Sequence, residues 1–233
     1  MTTQSLGIER LDRALDDLIA PDAKVEILAE GYDWSEGPVW VRDGGFLLFS
    51  DVPQNVIVRW KPGEGARVWL KPSGYTGREP RGAELGSNGL VIDREGRLVI
   101  CQHGDRRIAR MDAPLSSPAP RFTTLADRYE GARFNSPNDA VFHTNGDLYF
   151  TDPPYGMVGQ FDDPAREIPY QGVFRRSRDG SVRLLTRDMS RPNGLAFSPD
   201  QRTLYIAQSD PAAPIWRAFG VRPDGLLGAS RVF

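Results

Sequence analysis

Glu36, Asn88, Asn138 and Asn193 each open a short apolar stretch, and they stand 52, 50 and 55 positions apart. One carboxylate and three carboxamides form an oxygen-only donor set. Such a set suits a hard divalent cation: calcium accepts carboxylate, Asn carbonyl, backbone carbonyl and water together, whereas zinc favours His and Cys. The chain holds two histidines and one cysteine, Cys101, and has no HExxH or CxxC pattern. A conventional zinc site, a thiolate cluster and an internal disulfide are therefore excluded. A single Asn beside Gly or Asp is an ordinary turn former whose side chain bonds its own backbone. The common spacing is what gives the four residues joint meaning.

The spacing follows from an internal repeat. EGPVWVRDGGFLLFSD, SNGLVIDREGRLVICQHG, PNDAVFHTNGDLYFTDPP and PNGLAFSPDQRTLYIAQSD share one plan: a polar residue beside Gly or Asp, an apolar strand, a turn, and a second strand. Between markers there is room for two more strands, such as VIVRWKP with ARVWLKP or GVFRRSR with SVRLLTR. Four strands per repeat of about 50 residues describe a propeller blade, whose first strand lies innermost. The fold expected is all-β, a β-propeller of four-stranded antiparallel blades, with the residue opening each inner strand at one rim of the central channel. Trp40 and Trp60 read as packing between blades. Ahead of the repeats, Ile8, Leu11, Leu15 and Leu18 fall at helical spacing up to Pro21, so a short amphipathic helix is expected in a lead-in over 1–22, followed by the propeller over 23–233.

The segments GYDWSEGPVW, FNSPNDAVF, LYFTDPPYG and RPNGLAFSPDQRTLYIA, in this order and spacing, resemble the SMP-30/gluconolactonase/LRE-like family, from about residue 25 to the end. The resemblance implies a six-bladed propeller that hydrolyses a sugar lactone with a divalent cation in the channel: calcium ahead of zinc, manganese or magnesium. It implies Glu36, Asn138 and Asn193 as metal ligands, and Asn88 as a substrate or supporting residue in its own blade. The family's remaining aspartate ligand has no counterpart here, since Asp224 of RPDGLL reads as an outer-strand turn. Four repeats and an N-terminal strand fall short of six blades by roughly 60 to 70 residues. The expectation is thus an incomplete ring that lacks its last blades and is prone to self-association through open blade faces.

Hydrolysis also needs a general base. His103 stands fifteen positions beyond Asn88, as Asp51 and Pro153 do beyond their markers, and is the catalytic candidate, with a hydrogen-bonded structural histidine as the alternative. Asp152 and Tyr155 end a second strand at the same rim and are candidates for binding sugar hydroxyls; Asp152 reads equally as the cap of a turn stiffened by Pro153 and Pro154. Arg133 faces either the channel mouth or solvent. No Gly-x-Ser-x-Gly elbow and no Gly-rich phosphate loop before a helix is present. With 29 basic against 31 acidic residues, no run of eighteen apolar residues and no secretory signal, nucleic-acid and membrane partners are not expected and a cytoplasmic location is. Two rivals share the pattern: a phosphotriesterase-like hydrolase using the same cation, and a non-catalytic propeller binding a ligand at its rims.

Overall fold

The computed structural model describes residues 7–79, 81–82 and 84–233. Four antiparallel sheets of four strands follow one another along the chain, each in simple up-and-down order. Blade 1 comprises β1 (Ser35–Val41), β2 (Phe46–Asp51), β3 (Val56–Lys61) and β4 (Gly65–Leu70). Blade 2 comprises β5 (Ser87–Ile92), β6 (Leu98–Gln102), β7 (Arg107–Met111) and β8 (Phe122–Ala126). A small hairpin, β9 (Arg128–Tyr129) and β10 (Ala132–Arg133), leads into blade 3, formed by β11 (Ala140–Phe142), β12 (Leu148–Asp152), β13 (Gly172–Arg176) and β14 (Val182–Thr186). Blade 4 holds β15 (Pro192–Phe197), β16 (Thr203–Gln208), β17 (Trp216–Val221) and β18 (Leu227–Val232). The strand pairs expected from the repeat, VIVRWK with ARVWL and GVFRR with VRLLT, are β3 with β4 and β13 with β14.

Each blade presents apolar residues on both faces, so burial requires a neighbouring blade. Blades 1 and 2 enclose Leu48, Ile57, Leu70, Leu98, Ile100 and Met111. Blades 2 and 3 enclose Cys101, Ile108, Phe134, Phe150 and Phe174, where Phe134 meets Phe150 and Phe174 edge-on at 5.1 Å. Blades 3 and 4 close over Tyr149, Val173, Leu195, Leu204, Ile206 and Phe219. Full burial of one such side chain contributes about 1.5–3 kcal/mol, so these three sandwiches are the main stabilising force. Trp40 corrects an expectation: it is 47% exposed on blade 1 and packs between no blades, while Trp60 lies beside a smaller cluster of Phe49, Val56 and Val58.

The N-terminal segment also departs from its periodicity. In place of an amphipathic helix there is one 3-10 turn, Arg13–Asp17, capped by Asp12 and tied by Arg10 to Asp16 and to the oxygens of Ile19 and Ala20. Leu11 and Leu18 are 86% and 82% exposed. With no surface to receive an apolar stripe, so few residues cannot offset the cost of helix nucleation. The expected N-terminal strand reduces to one bridged residue, Val25. Residues 1–6 of the lead-in lie outside the described residues.

The inner strands touch in series, β1 to β5, β5 to β11 and β11 to β15. This contact explains the glycine that follows most markers. A Cβ at Gly37 would lie 2.2 Å from the Asn88 oxygen, and one at Gly89 would lie 2.8 Å from both the Asn138 oxygen and the Asp139 Cα. Backbone atoms cannot yield as a side chain would. Gly89→Ala is therefore expected to destabilise the fold by about 1–3 kcal/mol, the usual range for overpacking. Thermal unfolding should register this as a fall in Tm of several degrees relative to Gly220→Ala, where a Cβ meets nothing within 4 Å and φ is not positive; equal losses in the two would contradict the tight inner contact.

Candidate functional site

The four marker residues stand at the same place in their blades. Ser50 Oγ donates to the Asn88 main-chain oxygen (2.8 Å), Gly89 N to the Asn138 oxygen (2.7 Å), and Thr151 Oγ1 to the Asn193 oxygen (2.8 Å). Each blade thus fixes the inner strand of the next by gripping the carbonyl of the marker itself, which leaves the marker side chains free of that duty. At the third position an aspartate replaces the glycine: Asp139 accepts hydrogen bonds from Ala140 N (2.9 Å) and, across the blade boundary, from Leu195 N (3.1 Å). Burial pushes its carboxyl up to about 6, with a smaller contribution from the charge of Glu36. Glu36 and Asp139 are therefore electrostatic neighbours although a whole blade lies between theirs in sequence.

Asn138 is buried, and its surroundings orient the carboxamide. Its Nδ2 lies 3.4 Å from His103 Nε2, and His103 Nδ1 lies 3.2 Å from the Glu84 main-chain oxygen. The carbonyl requires a proton on Nδ1, so Nε2 accepts from the Asn138 amide. Asn138 Oδ1 is then left buried without a hydrogen-bond partner. In Asn193, Nδ2 donates to Ser209 Oγ (3.3 Å), which in turn pairs with the Tyr155 hydroxyl (2.7 Å). In both residues the nitrogen end is engaged and the oxygen end is left over. Glu36, half-buried, accepts from Trp34 Nε1 (3.0 Å) and lines a groove with Ile27, Leu28, Tyr32, Phe49 and Trp60.

This donor set fits a hard cation. An orphaned carboxamide oxygen costs about 1–3 kcal/mol when left unmet, and a cation would meet it. Among the described residues, no three His, Cys, Asp or Glu side chains cluster closely enough to hold a metal ion, so any ion here depends on the carboxamides.

The structure separates the remaining candidates. His103 is fully buried, with both ring nitrogens engaged, and desolvation lowers its pKa to about 4. That arrangement suits orienting Asn138 better than taking a proton from water. Asp152 is fully buried and accepts from Asn135 N (2.8 Å), three residues before Asn138, and burial raises it to about 7. It belongs to a repeated brace at the end of each second strand: Asp51 accepts from Trp34 N, Gln102 donates to the Ser73 oxygen, and Gln208 accepts from Ser190 N. Asp152 therefore fixes the approach to its marker. Asn88 is buried beside Ser50 and Ser87. Tyr155 is half-buried over Ser209, and Arg133 donates to the Asp105 oxygen (2.9 Å) beside a groove.

Two carboxylates at the site were not found from the sequence. Asp139 was visible as the one departure from the marker-Gly pattern. Glu84 lies in the long connection between blades 1 and 2, outside any repeat, and carried no signal. Its Oε2 is 3.9 Å from His103 Nδ1, and its pKa is raised first by burial and then by the charge of Glu36.

The buried groups set a pH dependence of stability. Asp139 and Asp152 are raised from 3.8 to about 6 and about 7, so the stability they contribute is present at low pH and is lost as pH rises through those values. His103 is lowered from 6.5 to about 4, so its contribution is present above 6.5 and is lost as pH falls toward 4. Two groups outweigh one, and Tm measured with a chelator present is expected to be higher at pH 5 than at pH 7. Asp152→Asn should flatten that rise; an unchanged slope would mean Asp152 stays ionised in the fold.

Among the described residues no helix is long and apolar enough to cross a membrane. The chain is 43% identical over 230 residues to a gluconolactonase of Zymomonas mobilis, covering 97% of this chain and 63% of that protein. It thus spans about two-thirds or less of that relative's length. Among solved structures it superposes on a gluconolactonase of Xanthomonas campestris with a TM-score of 0.81 at 32% identity, covering 100% of this chain and 74% of the other. A calcium-binding protein, regucalcin, from Agrobacterium tumefaciens matches with a TM-score of 0.61 at 18% identity, over 88% of this chain and 60% of that one, a likeness of fold. The model of the SMP-30/Gluconolactonase/LRE-like region matches residues 34–233, all four blades. By that match, and by four blades whose inner strands open on Glu36, Asn88, Asn138 and Asn193, the chain belongs to the SMP-30/gluconolactonase/LRE-like family.

Proposed function

We propose that this chain belongs to a gluconolactonase-type hydrolase that opens a sugar lactone, with Glu36, Asn138 and Asn193 holding a divalent cation, calcium foremost. The observation that carries the reading is Asn138: its amide nitrogen is turned to His103, and its carbonyl oxygen is buried with no partner. When bound, the cation supplies Lewis acidity toward the lactone carbonyl. The chain's own groups do the rest. His103 and Ser209 hold the two carboxamides with their oxygens presented, so the ligand geometry is set before substrate arrives.

Glu84 is the carboxylate assigned to take a proton from water: its Oε2 lies 3.9 Å from His103 Nδ1, on the ring that orients Asn138, and burial, then the charge of Glu36, raise its pKa toward neutrality, where a base is most effective. The hydroxyl adds to the carbonyl carbon, the ring C–O bond breaks, and the ring oxygen recovers the proton to give the open hydroxy acid. Tyr155, whose hydroxyl is already paired with Ser209, has its pKa raised by burial first and to a smaller extent by the charge of Glu84, and is available to a sugar hydroxyl beside the base.

The test is hydrolysis of glucono-1,5-lactone, followed by acid release. Activity is expected to disappear with EGTA and to return with excess calcium. Hydrolysis unaffected by chelation would remove the cation from the reading, and no hydrolysis of any aldonolactone would remove the lactone.

A further inference from the structure

A second polar feature adjoins the site on the far side of His103. A groove of about 720 Å³ is lined by Arg81, Arg106 and Arg133, with Tyr75, Asp105 and Met157 among its other walls. It shares a wall with the channel. Gly104 follows His103 in the chain and lines the groove, Gly156 packs directly on the His103 side chain, and Arg81 clamps both by donating to the Gly104 oxygen (2.5 Å) and the Gly156 oxygen (2.7 Å).

What distinguishes the three arginines is how they are satisfied. Arg81 bonds the two glycine oxygens, Arg106 bonds the oxygens of Phe134 (2.7 Å) and Ala165 (3.1 Å), and Arg133 bonds that of Asp105 (2.9 Å). Main-chain oxygens meet N–H groups but cancel no charge. The closest carboxylate oxygen to Arg106 belongs to Glu167, at 4.0 Å. Three carboxylates also line the groove: Asp105, held by Arg107 (2.8 Å) and by the Thr76 amide and hydroxyl, Asp163, whose oxygens accept from the amides of Gly159 and Ala165, and Asp127, 3.7 Å from Arg128. Arg106 is buried, and its Nη2 has no hydrogen-bond partner. Burial and the like charge of Arg133 both lower its affinity for its proton. With Arg107, the guanidiniums lining the groove exceed its carboxylates by one, and among the described residues Arg81 and Arg133 make no ion pair while that of Arg106 is 4.0 Å long, which makes a place for a charged oxyanion that Arg recognises through paired N–H donors.

We propose that Arg81, Arg106 and Arg133 form a subsite for an oxyanion, a phosphate or carboxylate substituent of the lactone substrate. The inference rests on the lactone reading for its substrate, and extends it from neutral to anionic sugar lactones. Binding of the anion alone does not depend on that reading.

Calorimetric titration with inorganic phosphate, in EGTA to keep divalent cations out, reads the subsite directly. The wild-type chain is expected to bind phosphate, with affinity falling about tenfold or more in Arg81→Gln and in Arg133→Gln and partly recovering in Arg133→Lys. Arg106→Gln is left aside because Arg106 is buried, and the thermal transition of the other variants checks that the fold survives the main-chain bonds that Arg81 and Arg133 give up. The kinetic arm compares kcat/KM for glucono-1,5-lactone with that for its 6-phosphate and for glucarolactone, the carboxylate analogue. The anionic-to-neutral ratio should exceed one in the wild type for at least one anion and fall about tenfold in each Gln variant; which anion is favoured separates phosphate from carboxylate. Phosphate bound no better by the wild type than by the Arg81→Gln/Arg133→Gln pair overturns the subsite. A ratio unmoved by the substitutions overturns its role toward substrate. Phosphate binding lost in the variants while no lactone is hydrolysed would sink the lactone reading and leave the anion site standing.

Discussion

Glu36→Gln is expected to weaken calcium binding by at least a hundredfold and to reduce lactone hydrolysis to background, while leaving the fold intact. The substitution is nearly isosteric. The carboxamide oxygen still accepts from Trp34 Nε1, and Glu36 lies at a half-buried strand opening where the side chain keeps its shape. Only the charge is lost. A carboxylate is the strongest attraction this donor set can offer a hard cation, since Asn138 and Asn193 contribute neutral oxygens. Terbium luminescence or calorimetry gives the affinity, and the thermal transition checks folding. A further consequence discriminates between direct and indirect effects. The Glu36 charge raises the pKa of both Glu84 and Asp139, so both should titrate at lower pH in the variant, an NMR-observable shift in a metal-free sample. Calcium affinity unchanged in the variant would mean that Glu36 is no ligand.

The architecture was legible because a blade repeats. Four copies of one pattern let weak local signals, an Asn before Gly or a turn at Asn145-Gly146, reinforce each other until the inner strands and their openings could be named. The same repeat carried a second signal that went unread: Asp51, Gln102, Asp152 and Gln208 occupy one position and brace one loop each. Read across blades, Asp152 is visibly one of four equivalent braces. What lay outside the repeat was not legible. The helical spacing of Ile8, Leu11, Leu15 and Leu18 is a statement about a face, and a face forms a helix only where something covers it. Glu84 sits in a connection with no counterpart in other blades, and its meaning comes wholly from what the fold brings beside it: His103, Glu36 and Tyr155.

Glu84→Gln is expected to lower kcat by two to four orders of magnitude, the usual contribution of a general base, with calcium affinity preserved within a few-fold. The pairing of these two readouts separates Glu84 from Glu36, whose loss affects both. The acid limb of the wild-type pH–rate profile supplies the second criterion. A base works ionised, so the rate falls as pH drops through its pKa; burial and the neighbouring Glu36 charge place that limb above the ordinary carboxylate value of 4.5. In Glu84→Gln the limb should vanish from the residual rate, and in Glu84→Asp the limb should persist with a lower plateau. His103 is the competing assignment, and its geometry opposes it: the one nitrogen free to accept a proton already faces the Asn138 amide, and protonating it would require a pH near 4. If Glu84→Gln retains kcat within threefold and the limb instead disappears in His103→Gln, the imidazole is the base after all, and the amide of Asn138 must turn away during turnover to release it.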